Sequence, residues 1–376
     1  MEFRIEIAPP EIRRPKPTDE SALGFGRIYS DHMFTMRWTE QGGWTDPTVR
    51  PFSDLKLSPA SLVLHYSQTI FEGLKAYRNP EGNINLFRPR DNAARFNQSA
   101  SRVDLPQVDP EIFMRAIREL VELDHEWIPK SKGTSLYIRP TMIATEPYIG
   151  LKSAQEVLFF IITGPVGAYY QEGFNPVNIT VCDRYSRAGP GGLGSIKAGA
   201  NYAASLKAEK EASSRGFSQV LWLDAAERKY IEEVGSMNIL FMMSGTVVTP
   251  PPGDTILDGI TKASVLELLR QWGVPVEERR LAIGEVLGAQ RSGELDEVFG
   301  AGTAAVISPV GSFEYRGKVY HVKNGGTGQL TKRLFEKLTD IQYNSSSKKP
   351  DRFGWVHEIP LPAASGAASQ SDSSKP

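Results

Sequence analysis

The chain is almost without cysteine: Cys182 stands alone among 376 residues, so no intramolecular disulfide and no cysteine-rich metal site can be built. Histidine is also sparse. His32, His65, His125, His321 and His357 are scattered, and no His-x-x-x-His or Cys-x-x-Cys spacing offers metal ligands. No metal is expected. An excess of charge of one sign is missing too: 43 basic residues against 44 acidic ones leave a formal net charge of -1, too little to neutralise a phosphate backbone or an anionic membrane surface. Nucleic acid is not an expected partner. No window reaches the roughly 18 unbroken apolar residues of a membrane helix; the best run, Val157-Leu158-Phe159-Phe160-Ile161-Ile162, has the length of a strand. Met1 to Ile5, followed by Ala8-Pro9-Pro10, lacks the apolar core of a signal peptide. A soluble, cytoplasmic protein is expected. There is no Gly-x-x-x-x-Gly-Lys-Ser/Thr and no Gly-x-Ser-x-Gly, and the Gly-x-Gly-x-x-Gly from Gly189 to Gly194 carries Pro190 and opens no evident helix. A dinucleotide loop is not expected there.

What remains is a chain with 40% hydrophobic and 23% charged residues, enough for two globular domains. Residues 1–165 read as a smaller N-terminal domain, with a proline-rich arm extending to about Lys16. Apolar runs at 84–87, 135–138 and 157–162 suggest strands, and 110–124 suggests a helix burying Phe113, Ile117, Leu120 and Val121. The class is α+β with mainly antiparallel pairing. Glycine and proline concentrate in 166–195, an expected interdomain loop region around a strand at 177–182. A larger domain follows over 196–362, with helices at 201–214 and 262–272, strands at 219–223 and 229–231, and a hairpin of 239–243 with 246–249. Residues 363–376 have little to bury and should be disordered.

Lys197 lies in Ser195-Ile196-Lys197-Ala198-Gly199-Ala200-Asn201-Tyr202, among small residues that permit close backbone approach. An amine can hold an aldehyde cofactor when it is shielded and partly neutral, whereas most lysines are simply solvated. Pyridoxal phosphate chemistry needs further groups, and the chain offers a candidate for each. Glu232-Glu233 closes a strand, where alternation would turn one carboxylate inward, toward a pyridine nitrogen, and the other outward. Thr261 is a plausible N-terminal cap of the helix after Leu257-Asp258-Gly259-Ile260, and a helix start suits phosphate. Gly300-Ala301-Gly302-Thr303-Ala304-Ala305 supplies a second set of small residues with a hydroxyl. Arg95 falls one turn into a helix, and Tyr137 and Arg139 share one side of a strand, where the pair could grip a carboxylate. Each has an ordinary reading as a surface ion pair, strand end or turn.

The chain resembles the branched-chain amino-acid aminotransferases, fold type IV pyridoxal-phosphate enzymes, from about Leu23 to Pro360. The resemblance rests on Leu23-Gly24-Phe25-Gly26, on Leu64-His65-Tyr66-Ser67-Gln68-Thr69-Ile70-Phe71-Glu72-Gly73-Leu74-Lys75-Ala76-Tyr77, on Tyr137-Ile138-Arg139-Pro140, and on the segments 197–202, 219–224 and 232–238. It implies a small N-terminal domain and a larger domain built on a mainly β pseudo-barrel flanked by helices. It implies pyridoxal 5'-phosphate as cofactor, with Lys197 forming the internal aldimine, Glu233 meeting the pyridine nitrogen and Tyr202 the phenolic oxygen. Arg95, Ile260, Thr261 and Thr303 would hold the phosphate. Tyr66, Phe71, Tyr137 and Tyr169 would line the apolar substrate pocket, the Thr303 and Ala304 amides with Tyr137 would meet the α-carboxylate, and Arg139 would receive the side-chain carboxylate of glutamate.

The implied reaction is ping-pong transamination between L-leucine, L-isoleucine or L-valine and 2-oxoglutarate, giving branched-chain 2-oxo acids and L-glutamate, in a homodimer. Within the same fold the rivals are a D-amino-acid aminotransferase and an aminodeoxychorismate lyase, against which Tyr137-Ile138-Arg139-Pro140 speaks. The rival of another class is a non-catalytic binding protein on this fold, which would require a lost lysine, glutamate or phosphate cradle. Three departures stand out: Ala200 replaces a usual second glycine, Ser67 replaces a glycine after Tyr66, and Thr303-Ala304-Ala305-Val306-Ile307-Ser308 lacks the Cys-x-x-Cys of some mammalian members. Thiol regulation is not expected.

Overall fold

The short apolar runs pair into two sheets, and a computed structural model of the chain describes residues 1–167 and 174–361. The tail at 363–376 and Tyr169 lie outside the described residues. The first nine-stranded sheet comprises β1 (Arg4–Ile5), β2 (His32–Thr39), β3 (Gly43–Pro51), β4 (Thr69–Phe71), β5 (Leu74–Arg78), β6 (Ile84–Phe87), β7 (Ser135–Ala144), β8 (Glu156–Val166) and a C-terminal strand, β18 (Val356–Ile359). The second nine-stranded sheet runs from β9 (Val177–Cys182) through β10 (Gln219–Leu223), β11 (Ile231–Val234), β12 (Met237–Met243), β13 (Thr246–Thr249), β14 (Val276–Glu278) and β15 (Leu295–Gly302) to β16 (Val306–Tyr315) and β17 (Lys318–His321). Seven α-helices are described: α1 (Leu62–Tyr66), α2 (Pro89–Arg102), α3 (Pro110–Leu123), α4 (Gly199–Ser214), α5 (Ile260–Gln271), α6 (Ile283–Ser292) and α7 (Gln329–Asn344).

In the first sheet the order is β1-β3-β2-β8-β7-β5-β6-β18, antiparallel except for β1 on β3, with β4 added beside β7. Its mainly aliphatic core holds a cluster of aromatic rings. Asp109 caps α3 by accepting the Glu111 amide at 2.8 Å and Pro110 occupies the first turn, where its missing N–H costs nothing. Phe113 on the buried face then meets Phe96 of α2 at 5.5 Å and Phe159 of β8 at 6.0 Å. The C-terminal strand returns to this sheet, β18 pairing with β6, although residues up to 362 were expected in the second domain. The division at 165 and 196 remains a proposal.

The second sheet closes on itself: β11, β10, β9, β16, β15 and β12 are paired in that order and β12 pairs back onto β11. This ring is the mainly β barrel-like body expected for fold type IV, with helices around it. Strand β9, inside the expected loop region, is central to it.

Some elements differ from expectation. The strand expected at 229–231 is β11, Ile231–Val234, because the Asp224 carboxylate accepts the Glu227, Lys229 and Tyr230 amides and holds those residues in a turn. The strand expected at 135–138 is β7, which runs on past Pro140 to Ala144. Proline lacks an N–H, but β5 pairs only with 136–138 and β4 with 141–143, so Pro140 sits at the break and its carbonyl accepts the Glu72 amide. Among the described residues no helix is long and apolar enough to cross a membrane, and no group of three or more histidine, cysteine or carboxylate side chains is arranged for a metal.

Candidate active site

Lys197 stands where the two halves touch. Its carbonyl accepts the Phe71 amide at 3.0 Å, its own amide donates to Ser99 Oγ at 3.2 Å, and Ala198 bridges Ile70. The backbone is thus pinned to β4 and α2. Gly199 opens α4 immediately afterwards, and a Cβ there would meet Thr69 Cγ2 at 2.9 Å, which explains a glycine at the closest approach. Ala200, the departure from the family pattern, is the second residue of the same helix. The side chain points into an aromatic corner: Lys197 Nζ donates to Tyr202 Oη at 3.1 Å and lies 5.1 Å from the Phe71 ring centre, while Phe71 and Tyr202 meet edge to face at 4.8 Å.

Arg139 and Tyr137 do share one face of β7, as alternation predicts. Arg139 Nη2 donates to Tyr137 Oη at 3.0 Å and its guanidinium lies 4.6 Å from the Phe71 ring centre. Gly73 gives Tyr137 its place, since a Cβ on Gly73 would fall 2.1 Å from the hydroxyl. Phe25 closes the other side, 4.9 Å from the Tyr137 ring. Tyr66 differs: it is 41% exposed and its hydroxyl donates to the Ile149 carbonyl. Its described contacts are with that loop and the His65 ring rather than with Phe71 or Lys197. Ser67, which follows it, takes φ +53° as the helix ends, a conformation that a glycine adopts without strain.

The paired glutamates are a correction. Both are buried, Glu233 at 2% and Glu232 at 6% exposure, because β11 belongs to the closed ring and the segment around Pro250–Thr255 lies beside its Glu232 side. Glu233 Oε1 accepts Asn238 Nδ2 at 3.3 Å and the Leu257 amide at 3.2 Å. Arg187 Nε lies 2.7 Å from Oε2, yet off a hydrogen-bond direction, and Oε2 has no hydrogen-bond donor. Burial pushes the Glu233 carboxyl up, against the pull of Arg187, the Leu257 amide and Lys197.

Thr261 does not cap α5; Gly259 does, with no side-chain cap. The Gly259 carbonyl accepts the Ala263 amide at 2.8 Å, and a Cβ there would lie 1.8 Å from Asn238 Oδ1. Ile260 and Thr261 therefore form the first turn, whose amides have no acceptor within the helix. Arg95 is directed there: Nη1 donates to the Asp258 carbonyl at 3.1 Å, while Nε and Nη2 bind the fully buried Glu72 at 2.6 and 2.9 Å. Thr303 and Ala304 form the turn from β15 to β16. Val306 leaves that turn at φ +62°, strained for a β-branched residue, and Lys75 Nζ donates to the Ala304 carbonyl at 2.6 Å.

The set suits one kind of guest. A buried carboxylate oxygen without a donor, an amine beside a phenol, and free amides at a helix start with an arginine fit a basic ring nitrogen, an aldehyde with its phenolic neighbour, and a phosphate. Glu72, Arg187, Asn238 and Lys75 were not singled out from the sequence. For Glu72 and Lys75 the signal was available, since both lie inside the motif that carries the resemblance; Arg187 stands in a glycine-rich loop and gave none.

The family model described as Amino-transferase class IV matches residues 69–313. A curated protein of Bacillus subtilis (strain 168), branched-chain-amino-acid aminotransferase 2, is 48% identical over 357 residues, covering 95% of this chain and 97% of its own length. Among solved structures, the branched-chain amino acid aminotransferase of Escherichia coli superimposes with a TM-score of 0.71 at 26% identity, over 87% of this chain and 98% of that one. The branched-chain aminotransferase of the thermophilic archaeon Thermoproteus uzoniensis, solved with norvaline, gives a TM-score of 0.69 at 27% identity, over 86% and 99%.

Proposed function

The chain belongs to the branched-chain-amino-acid aminotransferases of class IV, and we propose that it exchanges the amino group between L-leucine, L-isoleucine or L-valine and 2-oxoglutarate with pyridoxal 5'-phosphate as cofactor. The observation that carries this reading is the amine of Lys197 against Tyr202 Oη, inside a corner of Phe71, Tyr137 and Arg139. When bound, pyridoxal 5'-phosphate supplies the carbonyl that takes up the amino group and the ring that accepts electrons from the substrate.

The protein's own groups do the rest. Lys197 Nζ takes the proton from the substrate α-carbon, and Tyr202 Oη orients it. Glu233 Oε2 would meet the ring nitrogen and favour a proton on it, with Arg187 opposing the effect of burial on the carboxyl. The first-turn amides of Ile260 and Thr261, with Arg95 and Thr303, hold the phosphate. Phe71 and Tyr137 exclude water from a branched alkyl chain, the Thr303–Ala304 turn takes the α-carboxylate, and Arg139 takes the second carboxylate of glutamate. Both substrates use one pocket in turn, so the kinetics are ping-pong.

The visible band of the cofactor-loaded protein tests this. L-Leucine should bleach it and 2-oxoglutarate restore it; a band bleached only by a D-amino acid would refute the substrate class. In the same assay Arg139→Ala should weaken 2-oxoglutarate by about tenfold or more, the worth of a charge-assisted pair, and leucine far less. Equal losses would contradict its role.

The proposed assembly is a homodimer. Leu64, Tyr66, Tyr148, Ile149 and Leu151 form an exposed apolar patch, Leu151 at 83% exposure, in which α1 and the 146–151 loop are joined by the Leu62 amide on the Glu146 carbonyl. Such a patch marks an interface. Leu151→Asp should shift sedimentation to a monomer, and an unchanged dimer would place the interface elsewhere.

A further inference from the structure

Lys75 has no part in the roles assigned above, yet it lies against them. Leu74 and Ala76 enter the core of the first sheet, so alternation along β5 turns Lys75 and Tyr77 to the other face, toward the second sheet. In the register of β5 on β7, Lys75 stands directly opposite Tyr137, and residues so paired point to the same side with Cβ atoms about 5 Å apart. Lys75 thus shares the pocket face with Tyr137 and Arg139. From there its Nζ crosses to the turn between β15 and β16 and donates to the Ala304 carbonyl at 2.6 Å. Among the described residues no other side chain donates to the backbone of 303–305. The amine is also an unpaired charge. It is 7% exposed, burial pushes its pKa down to about 8, and no carboxylate pulls it back. At neutral pH a buried ammonium therefore stands without a counter-ion, with one of its three protons engaged, whereas buried charges are ordinarily paired.

We propose that Lys75 is a positioning residue for the substrate α-carboxylate: by holding the Ala304 carbonyl it aims the Thr303–Ala304 turn at that group, and the carboxylate in turn is the counter-ion that the ammonium lacks. This rests on the reading of the turn given above. The bond also steadies a strained backbone. Val306, at φ +62°, keeps that conformation only where its surroundings hold it. The ladder that pairs Gly302 with Val306 closes the base of the turn, and Lys75 ties its tip to the first sheet. A charged donor makes a stronger tie than a neutral one. Amino acid and 2-oxo acid carry the same α-carboxylate, so Lys75 serves both substrates equally. Arg139 differs in this, since only glutamate and 2-oxoglutarate bring it a second carboxylate.

The test separates binding from chemistry in the cofactor-loaded protein. Lys75→Met keeps most of the stem and removes donor and charge, so KM should rise about tenfold for L-leucine and for 2-oxoglutarate alike while kcat stays within about twofold. Isopentylamine, which is leucine without its carboxylate, should bleach the visible band as it does in the wild type, and the preference for leucine over it should shrink by about the same tenfold. Lys75→Gln, polar but one atom shorter, should give the same split. A fall in kcat at unchanged KM, equal losses for leucine and the amine, or unfolding of both variants would make Lys75 a structural residue and overturn the proposal. The wild type keeps the failures apart. A band that L-leucine does not bleach takes down the function itself, and no preference for leucine over isopentylamine takes down the turn as the carboxylate site. Normal results there, with unmoved KM in the variants, take down only the role of Lys75.

Discussion

Lys197→Ala should lose transamination by a factor of about 10⁴ or more, because no other group can supply both the attachment amine and the base at the α-carbon. The fold should survive. The contacts that pin this segment are made by backbone atoms, the Lys197 amide on Ser99 Oγ and the Phe71 amide on the Lys197 carbonyl, and alanine keeps both. Turnover of L-leucine with 2-oxoglutarate, measured with excess cofactor, checks the expectation beside a thermal unfolding curve. A folded variant that turned over at the normal rate would end the assignment of Lys197.

The second large effect is on stability. Glu72 is fully buried and binds Arg95, the Asn92 side chain and the Gly73 amide. Burial pushes its pKa up, but Arg95 and Lys197 with these hydrogen bonds outweigh that and hold the carboxyl below its usual range. Glu72→Ala leaves the Arg95 guanidinium, itself 8% exposed, without its counter-charge, and should cost about 3–5 kcal/mol in denaturant unfolding. Because the folded-state pKa is depressed, the wild-type contribution is present at neutral pH and lost as pH falls through the folded value. The double variant Glu72→Leu with Arg95→Met separates the roles of the pair. It should recover most of the stability, as apolar replacements of buried ion pairs do, while still failing to retain the cofactor. A single variant as stable as wild type would show that this pair is dispensable.

Where local pattern governs, the sequence was legible. The runs at 84–87, 177–182 and 219–223 are strands with those bounds, and the spacing of Phe113, Ile117, Leu120 and Val121 announced α3 by a periodicity that needs no distant partner. Lys197 among small residues was legible for the same reason, as a backbone that must approach β4 closely leaves little choice at Gly199. Misreadings arose where distant residues intervene. The Asp224 carboxylate moved the start of β11 by claiming the amides of Lys229 and Tyr230. Period-2 alternation correctly sent the two glutamates to opposite faces, but it could not show that the outer face would be covered too.

By itself, then, the chain announced several of the helices and strands and offered candidates for an amine, an acid and groups that would bind a phosphate. Tertiary structure alone decided that Glu72 faces Arg95, that Arg187 faces Glu233, that the last strand returns to the first sheet, and that both Glu232 and Glu233 are out of water. Propensity and capping act over a few residues and are written locally, whereas desolvation and charge compensation depend on which distant groups share one volume, and that is set only when the sheets close.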